Sequence, residues 1–192
     1  MSTPLNVVVV NGSPSQRSKT AALADLITAR LGELVPIAVR HVDVYRLGPG
    51  FTGSSSRDDV PPEIEAELRA VEEAEVVVAA TPVFRGSYSG MFKHLFDMID
   101  QYALANTLVI LAATGGSDRH ALVIEHELRP LFGFFQAAVL PVGFYVNSGE
   151  FDGTTVLNAE VYSRIKVGLN DVLPRLQRLA GGARETVQGG VG

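Results

Sequence analysis

Two kinds of apolar spacing alternate along the chain. Residues 5–10, 75–80, 107–113 and 138–146 are nearly unbroken apolar runs, bounded by turn formers. Such runs predict strands buried on both faces. Leu23, Leu26, Ile27, Leu31 and Leu34 instead recur at helical spacing and predict a first helix. Residues 37–47, IAVRHVDVYRL, alternate and predict a second strand. Residues 63–73, 87–100 and 118–136 predict three more helices, the first with prolines at its start. A last helix is expected within 154–179, where Val161, Ile165, Leu169, Val172, Leu173, Leu176 and Leu179 share a face. Residues 48–62, GPGFTGSSSRDDVPP, predict a long polar loop of a kind that is usually mobile or functional.

The order is strand then helix, five times over. Buried strands alternating with amphipathic helices imply a parallel sheet covered on both faces. Right-handed crossovers leave few arrangements, and five strands favour the order 2-1-3-4-5, a flavodoxin-like three-layer α/β sandwich. Residues 1–180 read as one domain and residues 181–192 as a flexible tail. Composition narrows the picture further. The chain has 192 residues, 46% of them hydrophobic, which suits a single domain with a real core. The absence of cysteine excludes disulfides, thiolate nucleophiles and cysteine-held iron–sulfur clusters. A net charge of −5 without a basic block argues against nucleic acid or an anionic membrane as partner. No apolar run has the length of a membrane span, and the start MSTPLNVVVV lacks the features of a secretory signal, so the cytoplasm is the expected location.

Three of the predicted strands end in polar, glycine-containing loops. In open α/β sheets, ligands bind beyond the carboxyl ends of the strands near the switch in strand order, so these loops are expected to line one crevice. The first, GSPSQRSKT, joins a strand to a helix N-terminus, where free N–H groups and the helix dipole favour a phosphate dianion. Ser13, Ser15, Ser18 and Thr20 add hydroxyls, and Arg17 and Lys19 add charge. It is neither a Walker A loop nor a dinucleotide fingerprint, so a monophosphate suits it better than a pyrophosphate. Helix capping alone explains the same hydroxyls. The second, TPVFRGSYSG, offers aromatic faces at Phe84 and Tyr88, charge at Arg85 and close backbone approach at Gly86. Its aromatics equally suit core packing or a subunit contact. The third, ATGGSDRH, carries Gly115 and Gly116, whose N–H groups can meet a flat ligand edge, or which form an ordinary turn. The four histidines show no metal-binding spacing, and there is no G-x-S-x-G nucleophile elbow. Asp118 and His120 are the only acid–base candidates in these loops.

Taken in order, NGSPSQRSKTAAL, ATPVFRGSYSGMFKHLFD, LAATGGSDRHAL and ELRPLFGFFQA resemble the NAD(P)H-dependent FMN reductases of the flavodoxin-like superfamily. The nearest likeness is to those paired with methanesulfonate and alkanesulfonate monooxygenases. The resemblance implies an FMN site. Ser13, Arg17, Ser18, Lys19 and Thr20 match its phosphate loop. Pro82, Val83, Phe84, Arg85 and Gly86 match the segment along the isoalloxazine, and Thr114, Gly115, Gly116 and Ser117 the loop at the pyrimidine edge. The alkanesulfonate reductases carry a tyrosine within an inserted π-type bulge of the fourth helix. VIEHELRP puts His126 at that position, as a possible functional group or as a partly exposed helical histidine.

The resemblance implies hydride transfer from NADH or NADPH to FMN, with release of reduced FMN to an FMNH2-dependent monooxygenase. No acid or base side chain is required for that transfer. Gly115 and Gly116 are the expected stabilisers of charge growing at flavin N1 and O2. The runner-up is an FMN-holding quinone or azo reductase; a flavodoxin-like electron carrier and an FMN-binding regulatory protein are the non-enzymatic alternatives. Tyr88, Met91, Phe92, Leu95 and Phe96 crowd one predicted helix and suggest a homodimer, or a homotetramer by resemblance.

Overall fold

The computed structural model describes residues 4–15 and 17–182, so most of the expected tail lies outside the described residues. Strands β1 (Leu5–Asn11), β2 (Ile37–Asp43), β3 (Val76–Pro82) and β4 (Leu108–Gly115) form a parallel sheet in the order β2-β1-β3-β4. Beside β4 run two short segments, β5 (Ala138–Val139) and β6 (Phe144–Asn147), both parallel to it. The expected order 2-1-3-4-5 holds, with the fifth strand divided. Pro141 interrupts it, because proline has no N–H for the ladder.

Helices α1 (Lys19–Leu34), α2 (Pro49–Thr52), α3 (Pro62–Glu72), α4 (Gly90–Met98), α5 (Arg129–Phe134), α6 (Ala159–Asp171) and α7 (Leu173–Ala180) pack around the sheet. A small hairpin of β7 (Phe151–Asp152) and β8 (Thr155–Val156) precedes α6. Side chains alternate across the sheet as the pleat requires. Val8, Val10, Val77 and Ala79 face a phenylalanine-rich layer of Phe51, Phe92, Phe96, Phe132 and Phe135. Val7, Val9, Val76 and Val78 face Leu23, Ile27, Leu31, Ile165 and Leu169.

Several expectations are corrected. The polar stretch 48–62 contains α2 and a 3-10 turn at Arg57–Asp59 rather than open loop. The second strand ends at Asp43 and continues as a 3-10 turn, Val44–Arg46. The helix expected over 118–136 is three pieces: a 3-10 turn (Asp118–His120), a π-helical turn (Ile124–Leu128) and α5. The last helix breaks at Val172, because Pro174 cannot continue the bonding of α6. Residues 87–89 lie ahead of α4, outside the helix, and Phe92, Leu95 and Phe96 turn into the molecule's own core, leaving Tyr88 and Met91 half-buried. No helix among the described residues is long and apolar enough to cross a membrane.

Candidate active site

The carboxyl ends of β1, β3 and β4 are tied to one another by direct hydrogen bonds. Ser89 Oγ donates to Gly12 O at 2.7 Å, joining the loop after β3 to the loop after β1. Val83 N–H donates to Thr114 O at 2.8 Å, joining the loop after β3 to β4. The Thr20 and Thr114 hydroxyls share a buried bond of 2.7 Å, joining α1 to β4. The three polar loops singled out in the sequence thus meet at one end of the sheet.

The first loop is shaped from within. Asn11 is buried, accepts from Ser13 N–H at 3.1 Å and donates to Asp43 at 2.7 Å, so the tip of β2 braces the loop. Ser18 caps α1 by accepting from Ala21 N–H at 2.9 Å, and the first intrahelical bond runs from Ala22 N–H to Ser18 O. The Lys19 and Thr20 N–H groups precede that bond and have no acceptor within the helix. With the dipole of a 16-residue helix behind them, they form an anion-facing end. Gly12 leaves little room for a side chain: a Cβ there would lie 3.0 Å from Phe92 and from the Thr81 hydroxyl.

The two cations of this loop part company. Arg17 is exposed. Lys19 reaches across to the end of β6, donates to Ser148 O at 2.7 Å and sits 5.6 Å from the centre of the Phe151 ring. It therefore fastens a fourth segment, residues 147–151, to the crevice.

The second loop is a two-residue turn. Phe84 N–H donates to Ser87 O at 2.8 Å and Ser87 N–H to Phe84 O at 3.2 Å. Its central residues have positive φ, 52° at Arg85 and 88° at Gly86, the combination a type I′ turn requires. Gly86 suits that conformation; Arg85, with a Cβ, is strained there. The turn carries Phe84, 43% exposed, and Arg85 outward, while Pro82 and Val83 are half-buried.

In the third loop the paired glycines differ. A Cβ on Gly115 would come within 2.4 Å of the Tyr145 hydroxyl, so this glycine makes room for a tyrosine. Nothing lies within 4 Å of the place a Gly116 Cβ would take. Tyr145 donates to Ser117 O at 2.6 Å, and burial, reinforced by Asp118 and Glu150, pushes its phenol up, keeping it a neutral donor. Asp118 accepts from Asn147 at 3.0 Å, tying this loop to the segment that Lys19 holds. His126 lies at the middle of the π turn and is exposed, in a groove shared with Tyr88, Lys93, Glu127 and Phe134. Among the described residues no histidine or carboxylate cluster has the form of a metal site.

Residues 5–151 match the NADPH-dependent FMN reductase family. The chain belongs to this family. It is 44% identical over 174 residues to the NADH-dependent FMN reductase SfnE of Pseudomonas putida, covering 91% of this chain and 94% of that protein. It is 40% identical over 188 residues to an FMN reductase (NADPH) of Pseudomonas aeruginosa, covering 98% and 99%. Among solved structures, an apo NADH:FMN oxidoreductase superposes with a TM-score of 0.77 at 27% identity, over 88% of each chain. This FMN reductase fold thus brings Ser13, Arg17, Ser18, Lys19 and Thr20 to the same end of the sheet as Pro82, Val83, Phe84, Arg85 and Gly86, and as Thr114, Gly115, Gly116 and Ser117. The sequence reading missed Asn11, Asp43, Ser89, Tyr145 and Ser148, which hold those loops. Asn11 and Ser89 had a local signal, being polar residues at the edges of apolar runs. Asp43, Tyr145 and Ser148 act over 28 to 129 residues of sequence and had none.

Proposed function

We propose that the protein is a cytoplasmic NAD(P)H:FMN oxidoreductase that releases reduced FMN to an FMNH2-dependent sulfonate monooxygenase. The observation that carries the reading is the hydrogen-bonded junction of the three loops at the N-terminus of α1, in a member of the FMN reductase family. The residues present suit FMN: unsatisfied N–H groups at α1 and an exposed Arg17 for a phosphate, an open Gly116 beside the Ser117 loop for the pyrimidine edge, and the 84–87 turn for the ring. Bound FMN and NAD(P)H supply the hydride chemistry between themselves. The protein orients them, and the N–H groups of Gly115 and Gly116 are the donors for charge growing at the flavin edge. No side chain is needed as acid or base; Asp118 is engaged by Asn147.

Release rather than retention is supported by the sparse aromatic lining. The chain has no tryptophan, and in these loops only Phe84 and Tyr88 could flank a ring, Phe84 standing open to solvent. An affinity on the order of micromolar, about −8 kcal/mol, suits turnover of flavin as substrate. Residues 1–180 act in this reading as one domain. The assembly is a homodimer or homotetramer, for which Phe134, 64% exposed in the groove that holds His126, offers apolar contact. The test is enzymatic. Extensively dialysed protein is expected to be pale, and its NAD(P)H oxidation to rise saturably with added FMN. Protein that stays yellow and oxidises NAD(P)H only with a quinone or azo dye would overturn release in favour of an FMN-holding reductase.

A further inference from the structure

Among the described residues, the turn of residues 84–87 has one hydrogen-bonded tether outside its own strand and sheet neighbours: Ser87 Oγ donates to Glu127 Oε2 at 2.8 Å, across 40 residues of sequence. Glu127 is half-buried and belongs to the π turn Ile124–Leu128, not to the sheet. That turn is marked by a bond from Arg129 N–H to Ile124 O, five residues back, whereas His126 N–H still makes an ordinary four-residue bond to Leu122 O. The change of bonding inserts one residue and re-aims the side chains that follow. Glu125, two residues earlier, points the other way and pairs with Arg129. The same turn carries His126 outward, in the groove that Tyr88, next to Ser87, also lines.

From this geometry we infer that Glu127 is a positioning residue for the flavin-facing turn: its carboxylate holds Ser87 and so fixes the pose of Phe84, Arg85 and Gly86. The turn needs such a hold, since Arg85 occupies a left-handed conformation that its side chain disfavours and that neighbouring contacts must maintain. Glu127 and Ser87 also link the groove to the crevice. The inference deepens the FMN-reductase reading and rests on it for its kinetic part only.

The experiment is a double-mutant cycle on the full chain with Glu127→Ala, Ser87→Ala and the pair, with Glu127→Gln as conservative variant. Each single alanine variant is expected to raise the FMN dissociation constant and KM by about 5-fold, with kcat at saturating FMN within about twofold, since the bond acts on pose and not on hydride transfer. The pair is expected to do no more than either single change, and Glu127→Gln, which keeps an acceptor oxygen, to restore most of the affinity. Single effects that multiply in the pair, or an FMN affinity equal to the parent's in both, would overturn the inference. Amide hydrogen exchange at Phe84 and Ser87 in flavin-free protein gives a readout independent of activity. Faster exchange in Glu127→Ala, with an unchanged melting temperature, is expected, and exchange equal to the parent's would overturn the inference. A parent that binds no FMN would defeat the functional reading while leaving this exchange result intact.

Discussion

Two serine-rich, arginine-bearing stretches look alike in the sequence and end up opposite in use. GSPSQRSKT follows β1, and TGSSSRDDVPP lies between α2 and α3. In the second, the charge is closed on itself. Arg57 grips Glu65 and Glu72 at once, Glu72 also takes Asp100 N–H, and Ser54, Ser55 and Ser56 bond to close neighbours in the chain, Gly50 O and Asp59. In the first, the hydroxyls shape the loop but Arg17 stands in solvent and, among the described residues, pairs with no carboxylate. Composition does not separate a ligand loop from a structural one. What separates them is whether acidic partners lie within reach: α3 brings Glu65 and Glu72 beside Arg57, whereas α1 has no acidic residue in its first turn.

The largest expected effect breaks the comparison on the ligand side. Arg17→Ala should weaken FMN binding by about 1.5–3 kcal/mol, the worth of a charge-assisted contact, and weaken riboflavin binding far less. Its melting temperature should stay near the parent's, since an exposed residue without partners contributes little to stability. Equal losses for FMN and riboflavin in titrations of flavin fluorescence would remove Arg17 from phosphate recognition.

Next comes the closed side. Arg57→Ala should leave FMN affinity unchanged and lower stability by about 1–2 kcal/mol, more than an exposed pair and less than a fully buried one. Thermal melting should fall by about 5 °C. The Arg57 hydrogen bonds hold the Glu65 carboxyl below its ordinary value of 4.5. A depressed folded value means that its stabilisation is present above the ordinary value and is lost as pH falls through the lowered one. The gap in melting temperature between parent and Arg57→Ala should therefore narrow as pH falls below the ordinary carboxylate value. A gap that widened in acid would contradict the ion-pair origin of the effect.

The smallest change sharpens the contrast inside the ligand loop. Lys19→Ala should cost about 1 kcal/mol of stability by freeing Ser148. It should alter the preference for FMN over riboflavin by only about twofold, against about 10-fold or more for Arg17→Ala. A phosphate-selective loss as large as that of Arg17→Ala would show that the ammonium leaves Ser148 for the ligand.

These cases also mark what the sequence could carry. The runs Leu5–Asn11, Val76–Pro82 and Leu108–Gly115 are apolar on both faces because the sheet is covered on both sides, and that pattern is local. The three site loops were legible for the same reason, each being a polar break directly after such a run. The π turn left no periodicity of its own, since inserting a single residue into a helix changes only about five positions, and the resemblance alone pointed to it at VIEHELRP. The dual role of the Gly-Gly pair was hidden because Tyr145, which dictates Gly115, arrives from a different strand. The destination of Lys19 was hidden by the 129 residues between it and Ser148.

The divided fifth strand bears on how the molecule behaves when crowded. An outermost strand offers a row of unpaired N–H and C=O groups to any similar strand on another molecule, the first step toward stacked aggregates. Here that border consists of a two-residue and a four-residue segment separated by Pro141, which has no N–H to give. The opposite border, β2, carries Arg40 and His41 in its exposed middle. Neither border offers a long, uncharged row, so pairing of a neighbouring strand is disfavoured at both sides of the sheet.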